Sequence, residues 1–247
     1  MFKCVVITKK KIFGFALVLS CLILGTSIMA AFAEERKIPI YCVDTNEKKI
    51  AITFDCAWED FDTDRILNVL EKYDARATFF VTGDYVRRCA GSVKKFSDAG
   101  HDIGNHSDNH PHPNNLSKEQ LKEDTKKCAE EIKKLGIEEK KLYRSPYGEY
   151  NNATVSTIEE MGYFFIQWDT DSLDYTKIGT AEIIRRVCDK AKEGSIVLFH
   201  TGVENTSLAL DKILERFSKD GYSFVTVDEL IYKENYKIDP AGKQIRF

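Results

Sequence analysis

From Lys48 onward the chain alternates between short apolar runs and amphipathic stretches. The runs at 50–55, 77–82, 102–105, 142–144, 163–168, 195–200 and 223–227 are bounded by turn residues and predict strands. Between them, apolar positions recur at helical spacing. Ile66, Val69, Leu70 and Tyr73 form an i, i+3, i+4, i+7 stripe behind Asp62 or Thr63 as a cap. Further helices are predicted over about 85–99, 117–135, 152–161, 181–192 and 207–219. Ser117-Lys-Glu-Gln120 offers a capping box, and Gly136 stops that helix. Gly100, Gly162, Gly194 and Gly221 each close a helix just before the next strand.

Strict strand–helix alternation with short links argues for a parallel sheet. Seven strands suit a doubly wound sheet or a barrel smaller than the usual eightfold one, and both gather their chemistry at the carboxyl ends of the strands. No repeat or flexible linker interrupts the pattern, so one domain is expected. Along the first strand, Asp55 shares the parity of Ala51 and Thr53, opposite the bulky Ile50, Ile52 and Phe54. In a barrel that places Asp55 at the mouth.

The start of the chain stands apart. Lys9, Lys10 and Lys11 precede an apolar run that ends in Ala31-Phe32-Ala33, the layout of a signal peptide at 1–33 or of a retained N-terminal membrane anchor. Either reading sends the remainder outside the cytoplasm, secreted or membrane-anchored. The remainder is acidic, with 32 basic against 39 acidic side chains, because 1–33 holds four lysines and no acid. That balance argues against nucleic acid, which needs a basic footprint. Five cysteines remain beyond residue 33, namely Cys42, Cys56, Cys89, Cys128 and Cys188, with no C-x-x-C spacing. Cys128 and Cys188 fall in helical patterns and read as buried hydrophobes.

The strand ends carry a polar, non-random set. His106 and His110 in "HSDNH" stand at i, i+4, which on a single helical turn aims both imidazoles at one point, a metal-ligand spacing. His112, between Pro111 and Pro113, reads as a bystander. The acidic group Glu59, Asp60, Asp62 and Asp64 reads as a solvated loop and helix start. His200 ends "SIVLFH" and becomes a plausible general acid with Asp174 holding its second nitrogen. Arg144 at a strand end suits the tuning of a carboxylate.

Together "TFDCAW", "HSDNH", "RSPYGEY", "DSLDY" and "LFH", with "RATFFVTG" and "AGHDIGNHS", resemble the ordered motifs of the polysaccharide deacetylases, the NodB-homology domain or carbohydrate esterase family four. The likeness covers about 45–232, leaving a tail at 233–247, and is strongest to sporulation-type peptidoglycan deacetylases. It implies a distorted parallel (β/α) barrel of about seven strands. It also implies metal-assisted removal of acetyl groups from the amino sugars of a cell-wall polysaccharide, by a monomer. By motif, His106 and His110 would be metal ligands and Asp55 the catalytic base, tuned by Arg144. The backbone amide of Tyr147 would bind the oxyanion, and His200 would be the acid, oriented by Asp174.

Cys56 departs from the pattern, standing where the family's Asp-His-His metal triad has its aspartate. Three readings are open. Cys56 is a thiolate ligand, which would favour zinc; or two histidines and water hold the divalent metal, with Asp55 as an additional donor; or Cys56 is a buried filler in a protein that has lost metal and activity. The last would make the chain a glycan-binding or spore-structural protein. A metal-independent glycoside hydrolase using Asp55 and Asp174 leaves the histidine pair without a purpose.

Overall fold

The computed structural model describes residues 36–247, so the segment read as a signal peptide or anchor lies outside the described residues. In chain order the strands are β1 (Cys42–Val43), β2 (Lys49–Cys56), β3 (Thr78–Val81), β4 (Asp102–Asn105), β5 (Leu142–Tyr143), β6 (Phe164–Phe165), β7 (Thr170–Asp171), β8 (Ile196–His200), β9 (Ser223–Val225), β10 (Tyr236–Ile238) and β11 (Lys243–Arg246). The helices are α1 (Thr63–Lys72), α2 (Gly83–Arg88), α3 (Ala90–Asp98), α4 (Lys118–Lys134), α5 (Asn152–Glu160), α6 (Thr180–Lys190), α7 (Thr206–Lys219) and α8 (Val227–Leu230). No helix among the described residues is long and apolar enough to cross a membrane.

The main sheet runs β6-β5-β4-β3-β2-β8-β7, every pairing parallel, with β9 beside the start of β2. It is a distorted (β/α) barrel in a single domain, as the resemblance implies and as one of the two architectures that the alternation left open. The strand expected at 163–168 is not continuous. Only Phe164–Phe165 within it pair with β5, as β6, and the chain just beyond it, Thr170–Asp171, pairs with β8 as β7. One stretch of chain cannot ladder with both partners at once, so it changes partner at Ile166–Asp169 and thereby joins the two ends of the sheet. Ile40 fills the step, its N–H donating to Phe165 O at 2.9 Å and its carbonyl accepting from Gln167 N at 2.7 Å. Below it the chain passes so close to Gly194 that a Cβ there would sit 1.9 Å from Val43 O, and Gly194 has φ +78°.

The alternation on β2 sorts the core. Ile50, Ile52, Phe54 and Cys56 point into the layer shared with the helices, against Ile66, Leu70, Tyr85 and Phe199. Ala51, Phe80, Leu142, Ile166 and Ile196 fill the barrel interior. Phe79 stacks on Phe96 of α3 with ring centroids 3.8 Å apart. Each such fully buried side chain contributes about 1.5–3 kcal/mol.

Local signals are mostly realised. Ser117 and Gln120 form the capping box of α4. The helix expected over 85–99 is divided, because Cys89 at φ −120°, ψ 36° ends α2 and starts α3. Asp62 makes no side-chain cap on α1; it is buried, and its Oδ1 accepts from Gly202 N at 2.8 Å, tying the loop after β2 to the loop after β8. It is therefore not part of a solvated acidic group. Residues 233–247 form the β10–β11 hairpin, which pairs with β1 through β11.

Candidate active site

Asp55 is the last inward-facing residue of β2, and it stands directly opposite His200 on β8. Arg144 follows β5 and is fully buried, stacked over Phe80 at 4.1 Å. Its Nη1 donates to Asp55 Oδ1 and to Thr53 Oγ1, both at 2.9 Å, and its Nη2 donates to Gln167 O at 3.2 Å. Burial opposes ionisation of Asp55, but the Arg144 guanidinium in contact with it, helped by His200, outweighs that and holds the carboxyl below its ordinary range. A buried charge of this kind persists only because it is paired and hydrogen-bonded.

The "HSDNH" segment is not a helical turn. Ser107 at φ 74° and His110 at φ 55° lie in the left-handed region, which breaks a helix. Side chains hold the loop instead: Ser107 N donates to Asn105 Oδ1 and His110 N donates to Ser107 Oγ, both at 3.0 Å. The rings still converge, with centroids 5.0 Å apart. His106 Nδ1 lies 2.8 Å from Arg144 O, and a carbonyl only accepts, so Nδ1 carries the hydrogen and Nε2 keeps its lone pair, 3.5 Å from Asp55 Oδ2. Burial lowers the pKa of His106 and pushes that of His110 down to about 4, so both rings are neutral at pH 7.

His200 and Asp174 meet as expected, with Nδ1 2.7 Å from Asp174 Oδ1. Asp174 is wholly buried, and its Oδ2 accepts from His200 N and from Thr206 Oγ1. Burial alone would lower the His200 pKa, but the Asp174 hydrogen bond and charge, with Asp55 and Asp171, raise it above its ordinary value. Trp58 stacks on the imidazole at 5.1 Å, and Tyr175 meets it edge-on at 5.0 Å.

Tyr147 follows Pro146 at φ 59°, ψ 8°, a conformation that costs a non-glycine residue about 1–2 kcal/mol. Strain of this order collects at functional sites. Among the described residues no hydrogen bond engages its N–H. Gly148 continues the turn at φ +67°, where a Cβ would lie 3.0 Å from the Trp168 ring. Gln167 Nε2 donates to Gly148 O at 3.1 Å and anchors the loop.

These parts surround one cavity of about 350 Å³, lined by Asp55, His106, His110, Tyr147, Tyr175 and His200 among others. Cys56 is not among its walls. One residue beyond Asp55 on a strand, its side chain takes the opposite face and packs in the helix-side core, fully buried. Burial pushes the thiol pKa well above 9.0, so it stays protonated. The structure therefore does not bring Cys56 to His106 and His110 as a metal ligand. Among the described residues no group of three or more His, Cys, Asp or Glu is arranged to hold a metal. Among the described residues the cavity offers two imidazoles, with Asp55 Oδ2 3.5 Å from His106 Nε2 and its Oδ1 taken by Arg144, and this donor set does not fit a centre with three dedicated protein ligands.

Strand-end reasoning gave no role to Trp58 or Trp168, which form walls of the same cavity. Their signal was position alone, since both stand within two residues of a strand end.

The sequence profile named "Polysaccharide deacetylase" matches residues 43–166. A peptidoglycan-N-acetylglucosamine deacetylase from Bacillus cereus is 40% identical over 194 residues, covering 76% of this chain and 91% of that protein.

The chain belongs to the polysaccharide deacetylase family.

A second relative, the peptidoglycan-N-acetylmuramic acid deacetylase PdaA of Bacillus subtilis, is 30% identical over 208 residues, covering 83% of this chain and 79% of that one. Polysaccharide deacetylases are hydrolases of amide bonds. A solved structure of a CE4-family pseudoenzyme from Bacillus anthracis matches with TM-score 0.75 and 28% identity, over 85% of this chain and 70% of that chain. A mutant described as having restored enzymatic activity matches with the same TM-score, 0.75, at 29% identity, over 85% of this chain and 72% of that chain.

Proposed function

We propose that this protein works outside the cytoplasm, removing acetyl groups from N-acetylated amino sugars of peptidoglycan or a related cell-wall polysaccharide. The observation that carries the reading is that Asp55 and His200 face one cavity, each held by its own buried partner, Arg144 and Asp174.

Asp55, kept ionised by Arg144, takes a proton from a water whose oxygen attacks the acetyl carbon. The unengaged N–H of Tyr147 receives the developing oxyanion, an interaction typically of about 3–4 kcal/mol per donor. His200 gives its proton to the amine nitrogen as the carbon–nitrogen bond breaks, and acetate and the free amine leave. No step here passes through a metal, because the chain presents two imidazoles rather than a complete ligand set.

Acetate release from peptidoglycan fragments and N-acetylchitooligosaccharides, with and without added Zn²⁺ or Co²⁺, tests the proposal. Release is expected, with Asp55→Asn and His200→Ala abolishing it. Any increment from the metal is expected to vanish when His106 and His110 are both changed to Ala. No release under either condition overturns the reading.

The inward packing of Cys56 and the likeness to a pseudoenzyme favour one alternative, a glycan-binding protein on the same barrel. It predicts saturable glycan binding without turnover, indifferent to chelators.

A further inference from the structure

The residue that sequence reasoning set aside, His112, sits against the strained turn. Its ring is stacked on Tyr147, with centroids 4.2 Å apart and planes 13° from parallel. Its Nδ1 lies 2.9 Å from Glu149 Oε1, two residues beyond Tyr147. Pro111 and Pro113 on either side fix the backbone that presents the ring. On its other side Tyr147 meets His110 edge-on at 4.5 Å. Tyr147 is 58% exposed, so the core does not hold it. Two histidines from the loop after β4 grip it instead, and Glu149 returns the second of them to the Tyr147 loop.

We propose that His112 is a positioning residue: stacked on Tyr147 and braced by Glu149, it locks the left-handed Tyr147 peptide and so sets the direction of its N–H. The clamp deepens the deacetylase reading, on which the role of that N–H rests. It also links two loops that the sequence separates, so that the His106–His110 loop and the oxyanion donor keep one spacing. The direction of a donor matters in the transition state more than in the ground state, where the carbonyl is less charged. A loosened clamp therefore lowers kcat and leaves KM nearly unchanged.

The test compares His112→Ala with His112→Phe, which keeps a flat ring and loses the bond to Glu149. In acetate-release assays His112→Ala is expected to lower kcat about tenfold with KM within about twofold, while His112→Phe stays within about threefold of wild type in kcat. Crystal structures of both variants supply a readout independent of turnover. Tyr147 should leave the left-handed region in His112→Ala and remain there in His112→Phe. The proposal is overturned if Tyr147 keeps its conformation in His112→Ala, if kcat is unchanged there, or if Phe and Ala behave alike. Should the wild-type protein release no acetate, the deacetylase reading falls, and the two crystal structures alone decide whether His112 is the clamp.

Discussion

Asp174 holds His200 at two points with its two carboxylate oxygens. Oδ1 meets the imidazole Nδ1 at 2.7 Å, and Oδ2 accepts the His200 backbone N–H at 2.9 Å. Ring and main chain are fixed by one buried carboxylate, leaving Nε2 to carry the mobile proton.

This pairing sets the pH dependence of turnover. The His200 pKa is raised above 6.5, so the acid keeps its proton to higher pH than a free imidazole and the rate falls as pH rises through that higher value. The Asp55 pKa is lowered below 3.8, so the base stays ionised until the pH drops through that lower value. Asp174→Asn removes the partner that raises His200. Its alkaline limb should move to lower pH and kcat should fall about 10²-fold, read from a kcat–pH profile. An unmoved alkaline limb would show that His200 is not the acid.

Arg144 neutralises Asp55, which is buried apart from its cavity face, and removing it strands a buried carboxylate. Arg144→Ala should cost about 3–5 kcal/mol in denaturant unfolding. The double change with Asp55→Asn should recover part of that loss, because the stranded charge is gone. Additive losses would mean that the 2.9 Å contact between them carries no coupling.

Cys56 packs away from the cavity, so its replacement should touch stability and little else. Cys56→Ala should cost about 1 kcal/mol, the scale of a small deletion from a packed core. Zinc content by elemental analysis should match wild type, and alkylating reagents should leave Cys56 unmodified in the folded protein. Loss of bound zinc in Cys56→Ala would identify the thiol as a ligand after all.

Gly148 bends beneath Tyr147 where a side chain meets both strain and the Trp168 ring. Gly148→Ala should destabilise by about 1–2 kcal/mol. It should also lower kcat more than it raises KM, measured in the same acetate-release assay.

The parts of the fold that follow local rules were legible in the sequence. Strand parity placed Asp55 inward, and Ser117 and Gln120 announced α4. What escaped depends on partners distant in sequence. Residues 163–168 read as one strand, because nothing in their own pattern reveals that β5 holds only Phe164 and Phe165 and that the chain just beyond, at Thr170–Asp171, goes to β8. The "HSDNH" pair was read at helical spacing, yet Asn105 and Ser107 side chains build a loop that brings the rings together by another route. The same parity that placed Asp55 could have turned Cys56 outward, since adjacent residues on a strand take opposite faces. Its neighbourhood of motifs drew attention to the mouth instead. His112 had no local signal, because its partners Tyr147 and Glu149 arrive from another loop.

Ile40 precedes the first motif and lies ahead of the matched stretch at 43–166. Its main chain is nonetheless stitched to Phe165 and Gln167, and Gln167 in turn holds Arg144 and the loop of Gly148. The length of chain that can be excised, fused or exchanged without disturbing the mouth is therefore longer than the string of motifs that marks the family. A graft begun at the first motif would carry every reactive side chain and leave behind the peptide that keeps two of them in place.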